Sequence, residues 1–238
     1  MAQKFAVFDI DGTIIRWQLY HAIVDRLAKN GQISDEAFQT AKTARMDWKR
    51  RSNETAFKAY ERALVGIFDV AITNIAYKDF MAAVQAVFDE YKEQTYVYTR
   101  NLMHDLKAQG YLLFAISASQ QQIVELLARY YGFDDWGGSE YLVKDGAFTG
   151  QKYVLLSDEK PKLLQKLVEK HDAIFNDSIG VGDSESDIPM LGTVEHPLAF
   201  NPSKLLFEHA RSEQWKIVVE RKNVIYELEL ARGSYILA

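Results

Sequence analysis

Phe5-Ala6-Val7-Phe8-Asp9-Ile10-Asp11-Gly12-Thr13 is the stretch on which the reading of the whole chain turns. Four apolar residues with no helical period and no charge suit a short strand covered on both faces, as in a parallel sheet. Two carboxylates leave its carboxyl end at once. In extended backbone, residues two apart project to the same side, so Asp9 and Asp11 crowd negative charge into one small volume. A hard divalent cation such as Mg²⁺ would neutralise them through oxygen ligands, and Gly12 lets the chain turn so that a backbone carbonyl can join the shell. Taken alone, the plainer reading of Asp-x-Asp-Gly is an acidic turn after a strand. A calcium-binding EF-hand loop counted from Asp9 fails, because Ile14 stands where its glycine belongs and Tyr20 where its last glutamate should be.

The pattern of an apolar strand followed by paired aspartates returns at Ile179-Gly180-Val181-Gly182-Asp183-Ser184-Glu185-Ser186-Asp187. Asp183 and Asp187, four apart, share one side of a helical turn, so a second acidic strand end can face the first across a sheet. Between the two, Tyr111 to Ile116 forms another apolar strand that runs into Ser117-Ala118-Ser119. Ser119 and Gln122 fit a capping box for a helix carrying Ile123, Leu126, Leu127 and Tyr130. A hydroxyl and a helix start at a strand's carboxyl end suit an anion, although a serine there is most often only a cap. Tyr141 to Phe148 reads as a hairpin around Asp145-Gly146. Lys160 precedes Pro161 at a further helix start, where an isolated lysine is normally solvent-facing and mildly opposes the helix dipole.

From Ile15 to residue 95 the apolar spacing is helical. Tyr20, Ile23, Val24 and Leu27 share one face, with Gly31 closing the helix. Ser34 caps the next, with Asp35 and Glu36 in its first turn. Phe57, Tyr60, Leu64 and Phe68 mark a third after a cap at Asn53, and Phe80, Val84, Val87 and Tyr91 mark a fourth. These stripes read as core. Arg45, Lys49, Arg50 and Arg51 form a basic run that reads as a solvated face, with the alternative that one guanidinium enters a pocket for phosphate or carboxylate. The expectation is therefore an α/β protein in which residues 1–15 and 96–238 build a parallel-sheet core, interrupted by a helical insertion over 16–95.

Composition narrows the function classes. With 238 residues, 48% of them hydrophobic, the chain can bury a sizeable core. A net charge of -5 gives no global attraction to nucleic acid or an anionic membrane. The absence of cysteine excludes disulfides, thiolate metal sites and cysteine nucleophiles. No apolar run approaches the ~20 residues of a membrane helix, and little room precedes Asp9 for a leader, so a cytoplasmic protein is expected.

Asp9-Ile10-Asp11-Gly12-Thr13, Ser117 at the end of its strand, Lys160, and Gly182-Asp183-Ser184-Glu185-Ser186-Asp187 together resemble the haloacid dehalogenase superfamily of phosphohydrolases. The helical insertion, the Asp145-Gly146-Ala147-Phe148-Thr149-Gly150 hairpin and Asp187-Ile188-Pro189-Met190-Leu191 are similar to its phosphoserine phosphatase-like subgroup. The resemblance implies a Rossmann-like core with an all-helical cap, and a Mg²⁺-dependent phosphatase whose cap closes over a small phosphorylated metabolite. It casts Asp9 as the nucleophile that forms an aspartyl phosphate, and Asp11 as the acid and then the base. It places Mg²⁺ among Asp9, the Asp11 carbonyl and Asp183, with Asp187 ligating or orienting that shell, while Ser117 and Lys160 hold the phosphoryl group. The same intermediate could be intercepted by an alcohol or sugar in a phosphotransferase or mutase, and fold alone also admits a non-catalytic metal-binding regulatory module.

The sequence departs from this subgroup in one place. Phosphoserine phosphatases usually carry a glutamate a few residues after the first motif, facing the substrate's ammonium group, and the matching position here is Gln18. An amide cannot neutralise an ammonium in a closed site. The expected substrate is a neutral or anionic small phosphomonoester, with Arg45, Arg50 or Arg51 as candidate grips. Glu54 or Glu61 remain carboxylates that could supply the missing charge.

Overall fold

The computed structural model describes residues 3–53, 55–231 and 234–237, so Glu54 lies outside the described residues. The chain divides into two compact units, one of Met1–Trp17, Glu90–Ser139 and Val154–Ala238, the other of Gln18–Asp89 and Glu140–Tyr153.

In the first unit β1 (Gln3–Phe8) is central. It pairs in parallel with β2 (Leu112–Gln120) on one side and β5 (Ala173–Gly182) on the other, Phe8 lying opposite both Ala115 and Val181. Residues 135–139 of β3 (Asp135–Lys144) flank β2, while β6 (His196–Phe200) and β7 (Lys216–Arg221) extend the parallel set beyond β5. Two antiparallel strands, β8 (Val224–Ala231) and β9 (Ser234–Leu237), complete the order β3-β2-β1-β5-β6-β7-β8-β9. Phe5, Ala6, Val7 and Phe8 are each 0% exposed, which is why the run shows no polar alternation. On one face, Phe5 and Val7 join Phe114 and Ile116 in a core with Leu164 and Leu167 of α7 (Lys160–Lys170), Met190 of α8 (Ile188–Leu191) and Leu206 of α9 (Lys204–Ser212). Phe5 stacks on Phe114 at 5.5 Å and meets Phe175 edge-on at 5.3 Å. Phe5 and Phe114, both fully buried, each contribute roughly 1.5–3 kcal/mol relative to exposure. Phe8 meets Phe133 edge-on at 6.0 Å, and α5 (Val97–Ala108) and α6 (Gln121–Tyr131) bury Met103, Leu106, Ile123 and Leu127.

The second unit holds α1 (Leu19–Lys29), α2 (Asp35–Lys49), α3 (Ala56–Ala71) and most of α4 (Tyr77–Tyr91). Ser34 caps α2 as expected, its Oγ accepting from the Ala37 N–H at 3.2 Å. Asn53 does not cap α3. Its Oδ1 instead accepts from the backbone N–H and the hydroxyl of Thr55, both at 3.0 Å, a local turn that delays the helix to Ala56.

This unit is not all-helical, contrary to expectation. The remainder of β3 and β4 (Ala147–Tyr153) form a hairpin that belongs to it, whereas the sequence reading kept 140–153 with the core. The reason is aromatic packing: Tyr141 meets Phe68 at 5.1 Å, Phe148 meets Phe80 at 5.2 Å, and Lys152 pairs with Asp69. Asp145 and Gly146, with φ of 50° and 78°, make the tight turn. No helix of the described residues is long and apolar enough to cross a membrane.

Candidate active site

The parallel strands deliver their carboxyl ends to one edge of the sheet, where open α/β folds present ligand-binding groups. Asp9 follows β1, its N–H donating to the Val181 carbonyl at 2.9 Å and continuing the β1–β5 ladder. Gly12, with φ of 83°, turns the chain back, and a Cβ there would lie 2.1 Å from Asp183 Oδ2. Only glycine satisfies both the backbone angle and that close approach. Thr99 fixes the same loop by donating to the Thr13 carbonyl at 2.8 Å.

Lys160 opens α7 and is 1% exposed, so the solvent-facing role ordinarily expected of such a lysine does not apply. Its Nζ donates to Asp9 Oδ1 at 2.9 Å and to Asp187 Oδ1 at 2.5 Å. The other oxygen of Asp187 accepts from the N–H groups of Asp183 at 3.1 Å and Ser184 at 3.0 Å. Ser184 and Asp187 thereby form a capping box, which orients the whole turn after β5. Its Ser-x-x-Asp pattern was readable in the sequence. Ser117 Oγ donates to Asp11 Oδ2 at 2.6 Å and accepts from the Ser119 N–H at 3.0 Å. The capping box expected from Ser119 and Gln122 is absent: β2 continues through Gln120, which pairs with Ser139, and α6 begins at Gln121 without a side-chain cap.

Asp9, Asp11, Ser117, Lys160, Asp183 and Asp187 thus all belong to one compact unit. Carboxylate oxygens of Asp9, Asp183 and Asp187 lie within 4.8 Å of one another. The Asp11 carboxylate is turned instead to Ser117. Burial pushes Asp9 up, Lys160 pulls it back, and Asp187 and Asp11 raise it again, leaving it at about 8. Burial, then Asp9 and Asp187, also raise Asp183 well above the ordinary carboxylate range. Burial disfavours the Lys160 ammonium, but Asp187 and Asp9 outweigh it and hold the lysine protonated above its ordinary range. Four carboxylates against one ammonium leave the cluster short of positive charge. An all-oxygen donor set with that shortfall fits a hard divalent cation.

The substrate candidates lie in the second unit. Gln18 occupies the N-cap position of α1 with no capping bond, and Arg45 donates to Asp25 Oδ2 at 3.1 Å. Arg50 and Arg51 are exposed beyond α2. Sequence reasoning passed over Gln120, which is 0% exposed, with neither amide atom partnered among the described residues. Each group left so costs about 1–3 kcal/mol. Nothing in its helix-like surroundings signalled this.

Residues 6–192 match the sequence profile of haloacid dehalogenase-like hydrolases. The chain belongs to this family. The hydrolase is 24% identical over 237 residues to a phosphoserine phosphatase of Mycobacterium tuberculosis, covering 98% of this chain but 52% of that protein, about half its length. It is 24% identical over 210 residues to the phosphoserine phosphatase of Methanocaldococcus jannaschii, covering 87% of this chain and 90% of that one. Among solved structures, a phospho-aspartyl intermediate analogue of phosphoserine phosphatase superposes with a TM-score of 0.65 at 19% identity, covering 94% and 96% of the two chains. The mixed α/β fold, with its mainly parallel central sheet, is phosphoserine phosphatase-like.

Proposed function

We propose that this hydrolase cleaves small phosphomonoesters through an aspartyl phosphate on Asp9. The observation that carries the reading is the state of Asp9 itself: a buried carboxylate at a strand end, one oxygen fixed by Lys160 and the other accepting no hydrogen bond among the described residues. That free oxygen attacks phosphorus while the ester P–O bond breaks, splitting one difficult displacement into two. Asp11 gives its proton to the departing alkoxide. It then takes a proton from the water that attacks the aspartyl phosphate, releasing inorganic phosphate and restoring both carboxyl groups. Lys160, and the Ser117 hydroxyl once it turns its one hydrogen away from Asp11, donate to the phosphoryl oxygens, where charge spreads in the transition state. Lys160 remains charged throughout, anchored by Asp187.

Asp9 and Asp183, with the Asp11 main-chain carbonyl, would hold Mg²⁺, and Asp187 would orient that set. When bound, the cation supplies the missing positive charge, keeping Asp9 ionised and lowering repulsion between two anions. On the substrate side, Gln18 cannot neutralise an ammonium, and Arg45 is already countered by Asp25. A neutral or anionic phosphomonoester suits these residues better than phosphoserine. The test is a screen of the purified protein with Mg²⁺ against p-nitrophenyl phosphate and a panel of phosphorylated metabolites, repeated in isotopically labelled water. Label in the released phosphate supports hydrolysis. Phosphate appearing on an added alcohol would show transfer instead.

A further inference from the structure

Ser139 ends the stretch of β3 that flanks β2, and it is buried. The ladder between the two strands is irregular just before it. Ile116 pairs with Gly137 and Gln120 with Ser139, so Ser117, Ala118 and Ser119 stand opposite the single residue Gly138. The excess lifts Ser117 out of regular pairing and re-aims its side chain, as bulges beside reacting groups do. Gly138 leaves room for this, since a Cβ there would lie 2.8 Å from the Ser119 carbonyl oxygen. Where the ladder breaks, the Ser139 hydroxyl stands in for main chain and donates to the Ala118 carbonyl at 2.8 Å. That carbonyl and the Ser119 N–H belong to one planar peptide unit. The N–H donates in turn to Ser117 Oγ at 3.0 Å. Holding one end of this peptide therefore sets the direction of the other.

The same Ser139 oxygen accepts from the N–H of Leu155 at 3.0 Å, on the segment that leads into Lys160. This segment is pinned again further on, where the Ser157 hydroxyl donates to the Ser186 carbonyl at 2.9 Å and the Lys160 N–H to the Leu156 carbonyl at 3.2 Å. One buried hydroxyl thus joins the peptide that aims Ser117 to the segment that delivers Lys160. We infer that Ser139 is a positioning residue that sets the spacing of Ser117 and Lys160, the two groups that hold the transferring phosphoryl group. This rests on the phosphomonoester reading above. Alanine has neither donor nor acceptor, so it would release the Ala118 carbonyl and the Leu155 N–H together. A reacting constellation is sensitive to such a release, because a shift of about 1 Å costs on the order of 100-fold in rate.

The test measures kcat/KM for p-nitrophenyl phosphate, in the full chain with Mg²⁺, alongside Tm. Ser139→Ala should lose at least about tenfold. Its loss should shrink by at least about threefold in a Ser117→Ala background, since residues that act through one another are not additive. Ser139→Cys, of nearly the same size but with a weak donor and acceptor, should fall between wild type and Ser139→Ala, and carries the test if the alanine variant fails to fold. The control is Ser178→Ala: Ser178 is equally buried, and its Oγ accepts from the Glu195 N–H at 3.1 Å. It should lower Tm yet keep kcat/KM within about twofold. Folded Ser139 variants within about twofold of wild type overturn the inference alone. So does a loss undiminished in the Ser117→Ala background, or an equal loss in Ser178→Ala, each the mark of a general loosening of the sheet. No turnover by wild type overturns the phosphatase reading and this inference with it.

Discussion

Gly12→Ala should dismantle the acidic cluster while sparing the rest of the fold. Two costs combine at this position. A non-glycine residue at φ of 83° is strained by about 1–2 kcal/mol. The new methyl would also stand 2.1 Å from Asp183 Oδ2, against 3.4 Å for ordinary contact, so that carboxylate must retreat by about 1.3 Å. Displacing a reacting constellation by about 1 Å costs on the order of 100-fold in rate. Gly146→Ala separates the two effects, because Gly146 has φ of 78° with nothing within 4 Å of an added Cβ. Both variants should lose roughly 2–4 °C of Tm for each kcal/mol of strain. Only Gly12→Ala should also lose kcat/KM, on the order of 100-fold, and require at least about tenfold more Mg²⁺ for half-maximal activity. Melting curves with a Mg²⁺ titration of p-nitrophenyl phosphate turnover measure all three quantities. Wild-type kcat/KM and Mg²⁺ dependence in a folded Gly12→Ala protein would refute the claim that Gly12 exists to admit Asp183.

Asp9→Asn should abolish turnover with an unchanged melting profile or a raised one, since the amide is nearly isosteric and removes one of the crowded charges; substantial activity in the folded variant would sink the nucleophile assignment. Phosphoserine should trail neutral or acidic phosphomonoesters, because Gln18 offers no countercharge; phosphoserine winning by tenfold, roughly 1.4 kcal/mol, would transfer that task to another carboxylate. His21 is buried against Tyr60 at 4.8 Å, and burial first, then Arg45, lowers its pKa to about 4. Its folded value lies below the unfolded 6.5, so the stability it preserves is complete above pH 6.5 and drains away as pH falls towards 4, by roughly 3 kcal/mol in all. Urea unfolding between pH 7 and 4 should therefore slope less steeply in His21→Phe, and identical slopes would contradict the prediction.

The parallel core and the acidic cluster at its carboxyl edge were legible because each rests on a local pattern. An apolar run without alternation can be buried only on both faces, and Asp9, Ser117 and Asp183 each end or follow such a run. Lys160 was visible only through the family resemblance, since its surroundings are a plain helix start and its ion pairs span 151 and 27 residues of sequence. The hairpin at 140–153 was legible as a hairpin from Asp145-Gly146. Its membership of the second unit was not, because Tyr141 and Phe148 find Phe68 and Phe80 through contacts that no periodicity records. Gln120 escaped notice for the same reason. Burial without a partner is a property of the assembled sheet.

The central position of β1 also governs how the chain can fold. Its neighbours are far away along the chain: Phe5 pairs with Leu112, and Gln3 with Ala173, about 170 residues later. At a synthesis rate of roughly 5–20 residues per second, the ribosome needs on the order of ten seconds or more to supply β5 after β1 has been made. Until β2 is made both edges of the apolar Phe5–Phe8 run lack partners, and until β5 is made one edge still does, while α1, α2 and α3 can already associate through local contacts. Folding should be slow, as expected for non-local parallel pairing. The segment that ends in Asp9 and Asp11 is the one that waits longest for its partners, and so the one exposed longest to aggregation.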